Sequence, residues 1–187
     1  MWNPEPLESL PKPALYEHLA RALEELLRGE QDFLANAANT AALLYHSLPE
    51  VNWVGLYRHQ HNELILGPFQ GRPACVRIPI GRGVCGTAAA QRKTLVVPDV
   101  HAFPGHIACD PDSRSEIVIP LLLGPDLVGV WDMDSPQPAR FDETDRAGLE
   151  RLLQILLRAS FSDTAAQQPV LIKTEAPLQT PPLQHSP

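Results

Sequence analysis

Residues 116–134 read EIVIPLLLGPDLVGVWDMD. Ile117–Leu123 is almost wholly apolar and predicts a buried strand. Gly124, Pro125 and Asp126 supply the residues of a turn. Leu127–Met133 then returns antiparallel, so the stretch predicts a hairpin. On the returning arm Asp132 and Asp134 are two apart and share one face, while Trp131 and Met133 alternate with them and face the other way. Two like charges on one strand face are mildly unfavourable unless something cationic sits there. The plainer alternative is a solvated strand end before the Ser135–Pro136 turn. Glu116 opens the neighbouring arm and joins the two aspartates if the hairpin forms.

C-terminal to the hairpin, Asp142 caps a last helix, with Glu143 and Asp145 in the first turn where the helix dipole favours negative charge. Its apolar stripe is Leu149, Leu152, Leu153, Leu156 and Ala159. The periodicity stops after Asp163. Residues 164–187 hold five prolines and no aromatics and predict a disordered tail.

On the N-terminal side, residues 1–12 read as an extended lead-in. From Pro13, Leu15, Leu19, Ala22, Leu23 and Leu26 recur at helical spacing and Gly29 ends the run. Asp32 caps a second helix with the stripe Leu34, Ala38, Ala41, Tyr45 and Leu48. Short strands are predicted over 53–57, 64–66, near 74–79 and over 94–97. Gly81 and Gly83 open a short helix that carries Cys85. Helices at both ends of roughly six short strands give one α+β domain over 13–163 with an antiparallel sheet.

The chain has 187 residues, enough for one sizeable core. Its net charge of −7 argues against a nucleic-acid surface. No run of about 18 apolar residues exists, so no membrane span is expected. The first residues lack the basic start and apolar run of a secretory signal. Three cysteines, with no C-x-x-C pair, fit free thiols in a reducing, cytoplasmic compartment.

All three cysteines, Cys75, Cys85 and Cys109, fall between Gly67 and Glu116, and Cys109 lies in a long loop, 98–115. A buried cysteine is ordinarily an inert small hydrophobe. Cys85, however, starts a helix whose dipole favours its thiolate, and Cys109 has Arg114 nearby. His101, His106, Cys109 and Cys75 are also metal-type donors. Their H-x4-H-x2-C spacing matches no common zinc signature, and the histidines read better as hydrogen-bonding residues that shape the loop. Trp53 and Tyr57, four apart on a strand, share a face as core packing or as a pocket wall.

The motifs PACVRIP, GVCGTA and GHIACD, each holding one cysteine, together with NWVGLY before them and SRSEIVIPL and WDMDSP after, resemble the free methionine-(R)-sulfoxide reductases, which are GAF-domain enzymes. The resemblance covers roughly residues 30–157. It implies a GAF fold with the terminal helices on one side of the sheet and the ligand pocket on the other. It implies reduction of free methionine-(R)-sulfoxide with thioredoxin as reductant, without a metal or organic cofactor, and it leaves open a homodimer formed through the helices. Carried over by motif, Cys109 matches the catalytic cysteine, Cys75 the cysteine that resolves it, and Cys85 a third cysteine proposed for catalysis or recycling. Glu116, Asp132 and Asp134 match the carboxylates of the substrate site. Trp53 and Tyr57 match the aromatics around the substrate's methyl group. Trp131 and Met133 depart from the pattern, where smaller aliphatic residues are common. The rival reading is a non-catalytic GAF module that senses or binds a small molecule, since a fold does not fix a function.

Overall fold

The computed structural model describes residues 10–105 and 111–161. The lead-in up to residue 9, the tail from residue 162, and His106 and Cys109 lie outside the described residues. The helices are α1 (Lys12–Leu26), α2 (Phe33–Ser47), α3 (Gly83–Gln91) and α4 (Glu143–Phe161). The strands are β1 (Trp53–Gln60), β2 (Glu63–Gly71), β3 (Arg77–Pro79), β4 (Leu95–Val97), β5 (Ser115–Leu123) and β6 (Asp126–Ser135). They form one sheet in the order β3-β2-β1-β6-β5-β4, with every neighbouring pair antiparallel.

Period-two alternation sorts the side chains onto two faces. Val54, Leu56, Ile117, Ile119, Leu121, Trp131 and Met133 point toward α1, α2 and α4 and form the larger core with Leu19, Leu23, Leu44, Leu149, Leu152 and Leu156. Trp53, Tyr57, Val118 and Val130 face the other way, where α3 packs with Val84, Cys85, Ala88 and Ala89. Trp131 and Met133 are fully buried, so the departure from smaller residues is absorbed in the helix-side core. Its cost is local: the indole Nε1 of Trp131 has no hydrogen-bond partner among the described residues.

The caps stand where the sequence places them. Asp32 Oδ1 accepts from the Ala35 N–H at 2.8 Å, and Asp142 Oδ1 accepts from the N–H groups of Thr144 and Asp145. The α2 stripe stands in part: Ala41 and Leu48 are buried and Tyr45 packs against the core. Leu34 is 42% exposed and Ala38 is exposed, while Ala37, Thr40, Ala41 and Leu44 turn inward. An alanine-rich helix offers little polar–apolar contrast to set its rotation, and small residues at the contact let it lie close to the sheet.

Two strands also differ from expectation. β2 runs past Leu66 through Pro68 to Gly71. Gly55 pairs with Phe69 and Tyr57 with Leu66, so one β1 residue faces two of β2 in a bulge that accommodates the proline. The strand expected near 74–79 starts only at Arg77, and residues 72–76 are loop.

Gly148 sets the distance between α1 and α4. A Cβ there would lie 2.2 Å from Cγ of Tyr16, a buried ring whose hydroxyl donates to Asp145 Oδ1 at 2.8 Å. Alanine in a helix normally gains up to about 1 kcal/mol over glycine. Here the overlap reverses the sign, and Gly148→Ala is expected to lower unfolding stability by about 1–3 kcal/mol, measured by urea denaturation.

Candidate active site

The site is built on the sheet face opposite the terminal helices. In the β5–β6 hairpin Glu116 pairs with Asp134, and Asp132 lies two residues along β6 opposite Val118. Period two therefore puts all three carboxylates on one face. α3 closes over that face. A Cβ on Gly86 would lie 2.4 Å from the carbonyl oxygen of Pro79, so glycine lets the first turn of α3 press against the end of β3. That contact delivers Cys85 to the carboxylates. Its Sγ stands 3.8 Å from Glu116 Oε1, and donor atoms of Cys85, Glu116 and Asp132 all lie within 4.8 Å of one another. Cys85 and Glu116 are each 5% exposed and Asp132 7%. Asp134 is half-buried.

Three acids in so dry a place cannot all ionise. Burial pushes the Glu116 carboxyl well above the usual range, and the charges of Asp132 and Asp134 push it further. Asp132 rises to about 6, mainly by burial, and hydrogen bonds to Cys85 and Glu116 moderate the rise. The arrangement favours the protonated form of Glu116 beside Asp132. Oδ1 of Asp132 has no partner among the described residues. Cys85 corrects an expectation. Burial, followed by the charges of Asp132 and Glu116, raises its thiol pKa, and these outweigh the helix start that was expected to favour the thiolate. Cys85 is a neutral thiol.

An aromatic wall stands beside the acids on the same sheet face, with Trp53 paired to Asp134 across β1 and β6. Trp53 stacks on Tyr57 with ring centroids 5.8 Å apart and on Phe69 at 5.4 Å. Phe69 lies beyond the strand expected over 64–66. Unbroken alternation from Leu64 and Leu66 would turn it to the opposite face, and the bulge between Leu66 and Phe69 brings it to this one. The two wall residues also hold the Cys75 loop: Trp53 Nε1 donates to the Arg72 carbonyl at 3.1 Å and the Tyr57 hydroxyl to the Cys75 carbonyl at 3.0 Å. Cys75 is half-buried. Arg72 further pairs with Asp112 at 2.6 Å, which ties this loop to the segment that follows residue 110.

Cys109 and His106 lie outside the described residues. His101 is exposed on a short 3-10 turn, Val100–Ala102. Among the described residues the metal-type donors that cluster are Cys85, Glu116 and Asp132.

A curled antiparallel sheet of six strands, with helices layered on one face and a short helix over a cluster of buried acids on the other, defines a GAF domain. The GAF domain family matches residues 20–159. The free methionine-R-sulfoxide reductase of Escherichia coli is 51% identical over 142 residues, covering 76% of this chain and 86% of that protein. The enzyme of the same name from Saccharomyces cerevisiae is 40% identical over 156 residues, covering 79% and 87%. The solved structure of free methionine-R-sulfoxide reductase from Neisseria meningitidis in complex with its substrate is 46% identical, with a TM-score of 0.80, and the match covers 85% of this chain and 96% of that one. The chain belongs to the GAF-domain family and, within it, to the free methionine-R-sulfoxide reductases.

Proposed function

We propose that this protein is an oxidoreductase that reduces free methionine-(R)-sulfoxide to methionine. The observation that carries the reading is the pairing of a buried acid cluster with an aromatic wall: Glu116, Asp132 and Asp134 on one side, Trp53, Tyr57 and Phe69 on the other. An amino acid with a polar sulfoxide and a methyl group presents matching chemistry. Asp132 and Asp134 accept hydrogen bonds from its ammonium. The aromatics enclose its methyl.

In this mechanism the Cys109 thiolate attacks the sulfoxide sulfur, and protonated Glu116 delivers its proton to the sulfoxide oxygen. The protonated oxygen then passes from the substrate sulfur to the Cys109 sulfur as the transient S–S bond breaks, so methionine leaves with its sulfur electron pair restored and Cys109 becomes a sulfenic acid. Cys75 condenses with that sulfenic acid, water departs, and a disulfide forms. Thioredoxin returns both thiols by exchange. Cys85 lies beside Glu116 and lends its thiol to the proton network. A reducing, cytoplasmic setting suits the free thiols of Cys75 and Cys85. No helix among the described residues is long and apolar enough to cross a membrane.

Incubation with methionine-(R)-sulfoxide and dithiothreitol is expected to yield methionine catalytically. Stoichiometric binding without methionine favours the sensor reading. The pocket also predicts discrimination against N-acetylmethionine sulfoxide, whose amide cannot pair with the aspartates. Losing the partner of a buried charge costs about 2–5 kcal/mol, so kcat/KM is expected to drop at least about thirtyfold for the acetylated compound. Equal efficiency on both compounds removes the ammonium-site assignment.

A further inference from the structure

We propose that Cys85, Glu116 and Asp132 form a binding site for a divalent cation of the zinc class, and that the ion competes with substrate for the carboxylates. The donor set is one sulfur and two carboxylates. Magnesium and calcium take oxygen donors, whereas a thiolate selects zinc and its borderline-soft relatives.

The geometry suits a single ion. Zinc–sulfur and zinc–oxygen bonds of about 2.3 Å and 2.0–2.2 Å put the two donors about 3.6 Å apart at the tetrahedral angle, close to the 3.8 Å between Cys85 Sγ and Glu116 Oε1. Asp132 adds a third donor within the same 4.8 Å cluster. The independent sign of an awaited ligand is Oδ1 of Asp132. It belongs to a side chain only 7% exposed and has no hydrogen-bond partner among the described residues. Such an atom is costly to bury unless something binds it.

The donors are held on rigid elements. Glu116 and Asp132 stand on paired central strands, and Gly86 locks the turn that carries Cys85 against Pro79. Three protein donors leave a fourth position for water or for a bound ligand, as in zinc sites that are not purely structural. On binding, the Cys85 thiol and the Glu116 carboxyl each lose a proton to solvent, and the sulfur and the carboxylate oxygens bond to the ion. There is no change of oxidation state. The ion occupies the ground that the substrate's ammonium needs, so the bound form is inhibited and a chelator restores it.

The test uses the Cys75→Ser/Cys109→Ser variant, in which Cys85 is the one remaining thiol of three. Titration with cobalt(II) without added thiol is expected to give a sulfur-to-metal charge-transfer band in the near ultraviolet. The band should saturate at one equivalent and vanish on addition of zinc. Adding Asp132→Asn is expected to weaken cobalt binding at least tenfold. No band at millimolar cobalt, or an affinity unchanged by Asp132→Asn, overturns the site. A second measurement serves should the double variant not fold: zinc retained by the wild type in equilibrium dialysis should fall by one ion per chain in Cys85→Ser, and unchanged stoichiometry overturns the site. These readouts are independent of turnover, so failure of the reductase reading leaves them intact.

Discussion

Cys109→Ser is expected to leave no measurable reduction of methionine-(R)-sulfoxide, a loss of roughly three orders of magnitude or more. A serine hydroxyl is neither ionised nor polarisable enough to attack sulfur at neutral pH. The prediction discriminates among the three cysteines because their surroundings differ. Cys85 is buried against two carboxylates that keep it a neutral thiol, a poor state for a nucleophile. Cys75 belongs to a loop held by Trp53 and Tyr57, which suits a resolving thiol. Cys75→Ser is therefore expected to release about one methionine per enzyme in a single turnover and to recycle poorly with thioredoxin, because the sulfenic acid lacks its condensing partner. Near-normal turnover by Cys109→Ser would transfer the nucleophile's role to Cys85. Unchanged thioredoxin-dependent turnover in Cys75→Ser would do the same for the resolving role.

Asp132→Asn is expected to lower kcat/KM for the free amino acid at least about thirtyfold at neutral pH and, at the same time, to make the ligand-free protein more stable. The first effect follows, on the proposed function, from removing a buried charge that would receive the substrate's ammonium. The second follows from the pKa. In the folded state Asp132 titrates at about 6 against an ordinary 3.8, because burial disfavours its charge. A carboxyl raised on folding binds more protons in the native state than in the unfolded one between these values. Stability consequently falls as pH rises through that window, and the full cost, on the order of 1–3 kcal/mol, is present above pH 6. Asparagine carries no charge to desolvate. The variant's melting temperature should exceed the wild type's at pH 7.5, and the difference should shrink toward pH 4. Wild-type kcat/KM should fall below about pH 6 as Asp132 protonates. It should fall again at higher pH once Glu116, held well above the usual carboxyl range, gives up its proton. Thermal melts and a pH–rate profile check both halves. A variant less stable than wild type at pH 7.5 would show that Asp132 is satisfied by partners within the protein and is not held for a ligand.

The hairpin alone carried much of the fold. Alternation over 116–134 put Glu116, Asp132 and Asp134 on one face and buried Trp131 and Met133 on the other, and the register agrees. The caps Asp32 and Asp142 marked their helices for the same reason. Strand alternation and capping act over a few residues, so a linear reading captures them. The rotation of α2 escaped it in its first turns, because Leu34 is more apolar than Asn36, Ala37 and Thr40, which turn inward, and only the packing decides which side is covered. Phe69 escaped it because a bulge lets β2 continue past Pro68. The charge state of Cys85 could not be read at all. Its own helix start favours a thiolate, but Glu116, 31 residues away, and Asp132 on the next strand reverse that preference. Local residue order determined the sheet, the helix ends and the shared face of the acids. Tertiary packing, through the approach of Gly86 to Pro79, decided what stands against that face, since desolvation and charge repulsion depend on distance in space and not along the chain.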